Sequence, residues 1–302
     1  MVTPRPPAFG TTACYTFSRF GPRFTGEQQL VALGEIAELG FVAVELEIIV
    51  EEQIPVFQGE QLDRLRRRLE DLSLTVPVFA PFHTAEDLTS LDPARRTRGL
   101  ARFEESCRIS VELGCDHLQL ASVLPSELVA TAGRDYPNAP PSLARVDAST
   151  WSELWRTHVD TIARACEIAD GYGVRVSIEP RVNCLVANTD AYLRLSDAVA
   201  APNLGVALDP VHAVRSGDAP STAIAKVAAQ LFKFEFCDAL EQGLEHTAPG
   251  AGIFDWAAIL SALTQVEYDG PYNVDIITQP AAVPAAYESG LAHLRAMAGG
   301  SA

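Results

Sequence analysis

The chain lacks the marks of a membrane, disulfide-bonded or nucleic-acid-binding protein. No run of about 18 apolar residues occurs, so no membrane-spanning helix is expected. The opening stretch MVTPRPPAFG has no apolar core of the kind a secretory signal carries, and a cytoplasmic location is expected. None of the six cysteines (Cys14, Cys107, Cys115, Cys166, Cys184, Cys237) forms a CxxC pair. Most lie in apolar runs, where reduced, buried thiols are expected. Basic residues are scarce: 23 Lys and Arg against 39 Asp and Glu leave a formal charge of −16. Such a chain does not suit nucleic acid or an anionic membrane as its main partner.

What is present is an alternation of strand-like and helix-like segments over 302 residues, 48% of them hydrophobic. Residues 13–17 (ACYTF) read as a first strand. Thr25 and Gln28 form a capping-box pattern before an amphipathic run closed by Gly40. FVAVELEI (41–48) is a second strand. Leu62, Leu65, Leu69 and Leu72 share a helical face. TVPVFA (75–80), a helix opened by Asp92-Pro93, and DHLQLAS (116–122) follow. Thr150 and Glu153 repeat the capping-box pattern before a helix reaching Gly171. Then come VRVSIE (174–179), a helix capped by Asn188, GVALD (205–209), a short helix near 221–230, LFKFEF (231–236), a helix capped by Asp255, YNVDII (272–277) and a last helix to Met297. About eight βα units predict a single-domain α/β fold, the (β/α)8 TIM barrel. A doubly wound open sheet is the rival. Residues 124–149, without sustained periodicity, form a long loop after the fourth strand, either a lid or a surface insertion.

Four acids end four successive strand-like runs: Glu179, Asp209, Glu235 and Asp275. Strand parity turns them inward. Phe232, Phe234 and Phe236 suit the helix layer, which leaves Lys233, Glu235 and Cys237 for the interior. Val176 and Ile178 go outward, Ser177 and Glu179 inward; Val206 and Leu208 outward, Asp209 inward; Tyr272 and Val274 outward, Asn273 and Asp275 inward. Glu45, Glu47, His117 and Gln119 point in by the same rule. Unpaired buried acids are costly, so this many require a cation, buried bases or water. In a closed barrel the four acids converge on one mouth, a place suited to a hard divalent metal.

At these residues the chain resembles the sugar phosphate isomerase/epimerase family of xylose isomerase-like barrels. The matching pieces are SIEP (177–180), LDPVHAVRSG (208–217), FCDA (236–239), PGAGIFDW (249–256) and GFVAVEL (40–46). The resemblance implies one divalent ion, Mn²⁺ or Mg²⁺, held by Glu179, Asp209, Glu235 and Asp275. Where the family pattern has His or Gln, this chain has Glu235; where it has Glu, this chain has the shorter Asp275. The implied chemistry is proton transfer beside a carbonyl through a metal-stabilised enediolate, with Glu179 and Asp275 as base and acid. His212 would hydrogen-bond a substrate oxygen or shuttle a proton. Glu45, His83, Arg181, Arg215 and Lys233 are the candidate substrate-binding residues, with Lys233 and Arg181 also able to offset the acids. His246 is a lesser candidate. The resemblance implies a small polyhydroxylated substrate and allows a homodimer.

The outcome depends on where the proton returns: an epimerase, an aldose–ketose isomerase, or a lyase of the dehydroshikimate, inosose or 3-keto-glycoside type if a β-oxygen leaves. A non-catalytic barrel with a degraded metal site is a further alternative. A DNA-repair endonuclease shares the fold but needs more histidines than these six and a basic groove.

Overall fold

The computed structural model describes residues 8–129, 147–240 and 246–299. Most of the loop expected over 124–149 therefore lies outside the described residues. The strands are β1 (Phe9–Thr11), β2 (Ala43–Val44), β3 (Leu46–Glu47), β4 (Phe79–Ala80), β5 (His117–Ala121), β6 (Arg175–Glu179), β7 (Leu204–Leu208), β8 (Leu231–Phe236) and β9 (Tyr272–Val274). The helices are α1 (Cys14–Phe20), α2 (Gly26–Glu38), α3 (Gly59–Asp71), α4 (Ala85–Thr89), α5 (Pro93–Glu112), α6 (Ala148–Asp170), α7 (Thr189–Val199), α8 (Pro210–Arg215), α9 (Pro220–Val227), α10 (Trp256–Gln265) and α11 (Val283–Gly299).

All strand pairs are parallel, in the order β2-β1-β9-β8-β7-β6-β5-β4-β3. The two ends of that order, β2 and β3, are separated in sequence by Glu45 alone. They are halves of one stave: β2 pairs with β1, and β3 pairs with β4. The sheet thus closes into the expected barrel, and the acids of β6 to β9 fall on its fifth to eighth staves.

Three expectations are corrected. The segment 13–17 is not the first strand; it lies largely in α1, and β1 is the FGT just before it. Thr12 Oγ accepts the Cys14 N–H at 3.3 Å, a local turn that ends the strand and starts the helix. β1 needs Gly10, because a Cβ there would stand 2.3 Å from Asn273 Oδ1 inside the barrel. α6 begins earlier than its capping-box pattern suggests: Asp147 caps it, accepting the Thr150 N–H at 2.8 Å. Phe232 does not share the outward side of Phe234 and Phe236. The β7–β8 register slips between Val206 and Ala207, so Phe232 is the extra residue of a bulge. Its ring faces His117 (centroids 6.0 Å apart) and Arg175, residues of the inward parity. Gly205 leaves room for that ring, 2.2 Å from where a Cβ would be.

The other caps follow the sequence: the Thr25–Gln28 box on α2, Asp92 on α5, Asn188 on α7 and Asp255 on α10. The apolar layer lies between staves and helices. Phe236 stacks on Tyr272 (4.2 Å) and on Trp256 of α10 (5.9 Å). No described helix is long and apolar enough to cross a membrane.

Candidate functional site

Inside the barrel the polar side chains form two tiers. The lower tier centres on Lys233, which is fully buried on β8. Its ammonium donates to Glu45 Oε2 (2.5 Å), Gln119 Oε1 (2.7 Å) and Glu235 Oε1 (2.8 Å), which uses all three protons. Burial would strip its charge, but Glu235 and Glu45 more than offset that and raise its pKa. Lys233 therefore supports the acids rather than contacting substrate.

Gln119 carries this order upward. With its oxygen on Lys233, its Nε2 donates to Glu179 Oε2 (2.9 Å) and to Glu235 Oε1 (3.2 Å). Glu179 Oε1 lies 2.9 Å from Arg181 Nε as an ion pair but accepts no hydrogen bond from the described residues. Burial pushes the Glu179 carboxyl up to about 8; Arg181 opposes this, and Glu235 adds to it. Arg181 packs over the Phe82 ring at 5.6 Å.

The upper tier centres on Asp209, which ends β7 and caps α8. Its Oδ1 accepts the Val211 N–H (2.7 Å), and the Cys237 thiol donates to it (3.4 Å). Its Oδ2 lies 2.7 Å from His246 Nε2 and 3.5 Å from His212 Nε2. Burial would raise the Asp209 carboxyl, but the charge of His246 and its neighbours hold it well below the usual carboxylate range. Asp275, just past β9, accepts a short hydrogen bond from Thr12 on Oδ1 and turns Oδ2 toward His246 Nε2 at 3.7 Å. His212 is buried, and neither ring nitrogen has a hydrogen-bond partner among the described residues. Burial lowers its pKa to about 4, so its ring is neutral.

These side chains fit a divalent ion. Donor atoms of Asp209, Cys237, His246 and Asp275 lie within 4.8 Å of one another, as do those of Glu179, Asp209 and His212. Asp209 belongs to both groups. Burial and then Asp209 raise the Cys237 pKa well above the thiol range, so Cys237 serves as a hydrogen-bond donor. Glu235 faces the same interior but is held by Lys233 and Gln119. Glu45 and Glu47 are also buried there, with carboxyls pushed up to about 7 and about 8, chiefly by burial.

Two expected residues are not brought to this cluster. Arg215 ends α8 exposed. The charges acting on His83 are Arg102, Glu51 and Glu105, away from the acids. Thr12 does not show in the sequence, because ACYTF rather than FGT carries the strand pattern, and His246 stands closer to Asp209 than its place in a loop suggests. Nor does the sequence single out Asp238, within FCDA. Asp238 is fully buried and accepts from the N–H groups of Ala239, Gly250 and Phe254 and from Trp256 Nε1. It thereby ties Ala239 and the segment 250–256 to the end of β8.

Residues 33–297 match the family model described as xylose isomerase-like TIM barrel. An uncharacterised protein of Methanocaldococcus jannaschii is 24% identical over 258 residues, 83% of this chain and 80% of that one. D-Allulose 3-epimerase of Methylomonas sp., in complex with D-allulose, superposes with a TM-score of 0.74 at 17% identity, over 98% of this chain and 99% of that chain. D-Psicose 3-epimerase of Clostridium cellulolyticum H10, with D-tagatose, gives 0.75 at 17% identity, over 96% and 98%. The 3-keto-D-glucoside 4-epimerase of E. coli gives 0.73 at 18% identity, over 96% and 99%. At such identities the likeness establishes a shared barrel.

Proposed function

We propose that this chain, which belongs to the xylose isomerase-like TIM-barrel family, is a divalent-metal-dependent isomerase or epimerase of a small polyhydroxylated carbonyl compound. The observation that carries this reading is the state of Glu179. It is a buried carboxyl group with Oε2 tied by Gln119, while Oε1 is ion-paired with Arg181 but accepts no hydrogen bond among the described residues, beside the Asp209 cluster. That is the arrangement of a general base. The names of the solved barrels it resembles, ketose and keto-glycoside epimerases, support a keto-sugar type of substrate.

In this reading Glu179 Oε1 takes a proton from the carbon beside the carbonyl, and Gln119, by donating to Oε2, fixes the orientation of the carboxyl group. Asp275, three staves round the barrel, returns a proton from the other side, with Thr12 fixing its second oxygen. His212, neutral and without a hydrogen-bond partner among the described residues, hydrogen-bonds a substrate oxygen. Arg181 offsets charge at Glu179. A divalent ion held by Glu179, Asp209 and Asp275, such as Mn²⁺ or Mg²⁺, would supply stabilisation of the negative charge that develops on oxygen.

The test is NMR in D₂O with added Mn²⁺ and a panel of ketoses, inososes and dehydroshikimate. Deuterium uptake with the carbon skeleton and its oxygens intact supports an isomerase or epimerase. Loss of water instead assigns a lyase. A metal-loaded protein that exchanges no proton in any member of the panel would overturn the proposal.

A further inference from the structure

We infer that His246 is the nitrogen ligand of the metal site and that Glu235 is not a ligand. This rests on the metal-dependent reading above. The first support is position. His246 Nε2 lies 2.7 Å from Asp209 Oδ2 and 3.7 Å from Asp275 Oδ2, and all three atoms come from buried side chains. The imidazole thus stands between the two carboxylates that would share an ion. Beside it, His212 Nε2 is buried, without a hydrogen-bond partner among the described residues, and 3.5 Å from the same Asp209 oxygen, a second polar atom aimed into the cluster.

The second support is how the loop is built. Asp238 and Thr247 exchange backbone hydrogen bonds at 2.9 and 2.8 Å, so the chain turns back antiparallel just beyond β8. The residue before Thr247, His246, receives on its carbonyl the N–H of Ile277, just past β9, at 2.9 Å. The four hydrogen bonds into Asp238 tie Ala239 and the segment 250–256 to the same point. A histidine whose own carbonyl and following residue are held by backbone hydrogen bonds is preorganised to ligate.

The third support is what has happened to Glu235. Its Oε1 is shared by Lys233 and Gln119, and its donor atoms join neither set of converging ligands. Lys233 already neutralises it. An imidazole in place of a fourth carboxylate also leaves one formal charge fewer to balance against a divalent ion.

The experiment strips the protein with a chelator and titrates Mn²⁺ by calorimetry. It then reads nitrogen coordination by electron spin-echo modulation of the bound Mn²⁺. The wild type should show directly coupled histidine nitrogen, which needs no variant. His246→Ala and His246→Gln should lose that coupling and bind roughly 100-fold or more weakly, with circular dichroism confirming the fold. His212→Ala should keep the coupling. Glu235→Gln should cost no more than about 10-fold, the lower end for a group that does not touch the ion. Unchanged affinity and coupling in the His246 variants, or a loss confined to Glu235→Gln or His212→Ala, would overturn the assignment and leave the proposed function standing. A wild type that binds no Mn²⁺ would overturn both.

Discussion

Asp209 Oδ2 and His246 Nε2 stand 2.7 Å apart in the buried mouth of the barrel, an ion pair in the place a metal would take. Burial would lower the His246 pKa, but Asp209, then Asp275 and Glu235, push it up to about 10. A metal must therefore displace a proton. At about pH 7.5, Mn²⁺ binding should release between one and two protons, one from His246 and most of another from Glu179, whose carboxyl lies at about 8; apparent affinity should climb about tenfold per pH unit between about pH 8 and 10 and more steeply below that. Calorimetry in two buffers of different ionisation heat measures the release. A binding heat that does not change with buffer would contradict it.

The same pair makes a prediction for the metal-free protein. The folded pKa of His246 lies above the unfolded value of about 6.5. Its stabilisation is therefore complete below about pH 6.5 and is lost as pH rises through about 10. The melting temperature of the chelated protein should fall across that window. The fall should be smaller in His246→Gln.

Lys233 holds Glu45, Gln119 and Glu235 together in the interior. Lys233→Met should destabilise the protein by roughly 3–5 kcal/mol, because it leaves buried acids without their cation. Adding Glu45→Gln and Glu235→Gln should recover part of that loss. Denaturant unfolding checks both, and an unchanged midpoint for Lys233→Met would contradict the account.

Asp238 acts on the site through the loop. Asp238→Ala leaves the Gly250 and Phe254 N–H groups and Trp256 Nε1 without their acceptor, a loss of at least about 3 kcal/mol. Mn²⁺ affinity should fall with it, since His246 sits on the same loop. Gly252→Ala should behave alike, because its Cβ would meet Asp238 Oδ1 at 2.2 Å. Thermal melts and Mn²⁺ titration test the link; a destabilised variant with unaltered affinity would break it.

The barrel and its inward acids were legible because strand parity is local: each acid sits on an alternation whose outward residues are Val, Leu, Ile, Phe or Tyr. Phe232 escaped that rule because a bulge adds a residue and reverses parity, which depends on the neighbouring strand. The first strand escaped because FGT is too short to show a pattern, while ACYTF shows one that the Thr12 turn overrides. His246 was hidden for another reason. It lies outside any strand, and the Asp238–Thr247 pairing together with the Ile277 N–H on its carbonyl brings it to Asp209. The role of Lys233 likewise became visible only with Glu45 and Gln119 beside it, far away in sequence.

The central claim is that Glu179 moves a proton next to a carbonyl. Its most direct test is deuterium wash-in on an accepted substrate, followed by NMR for the Mn²⁺-loaded wild type and for Glu179→Gln loaded to the same metal content. The account predicts uptake by the wild type and a rate at least about 100-fold lower in Glu179→Gln. Equal wash-in by the two proteins would contradict it.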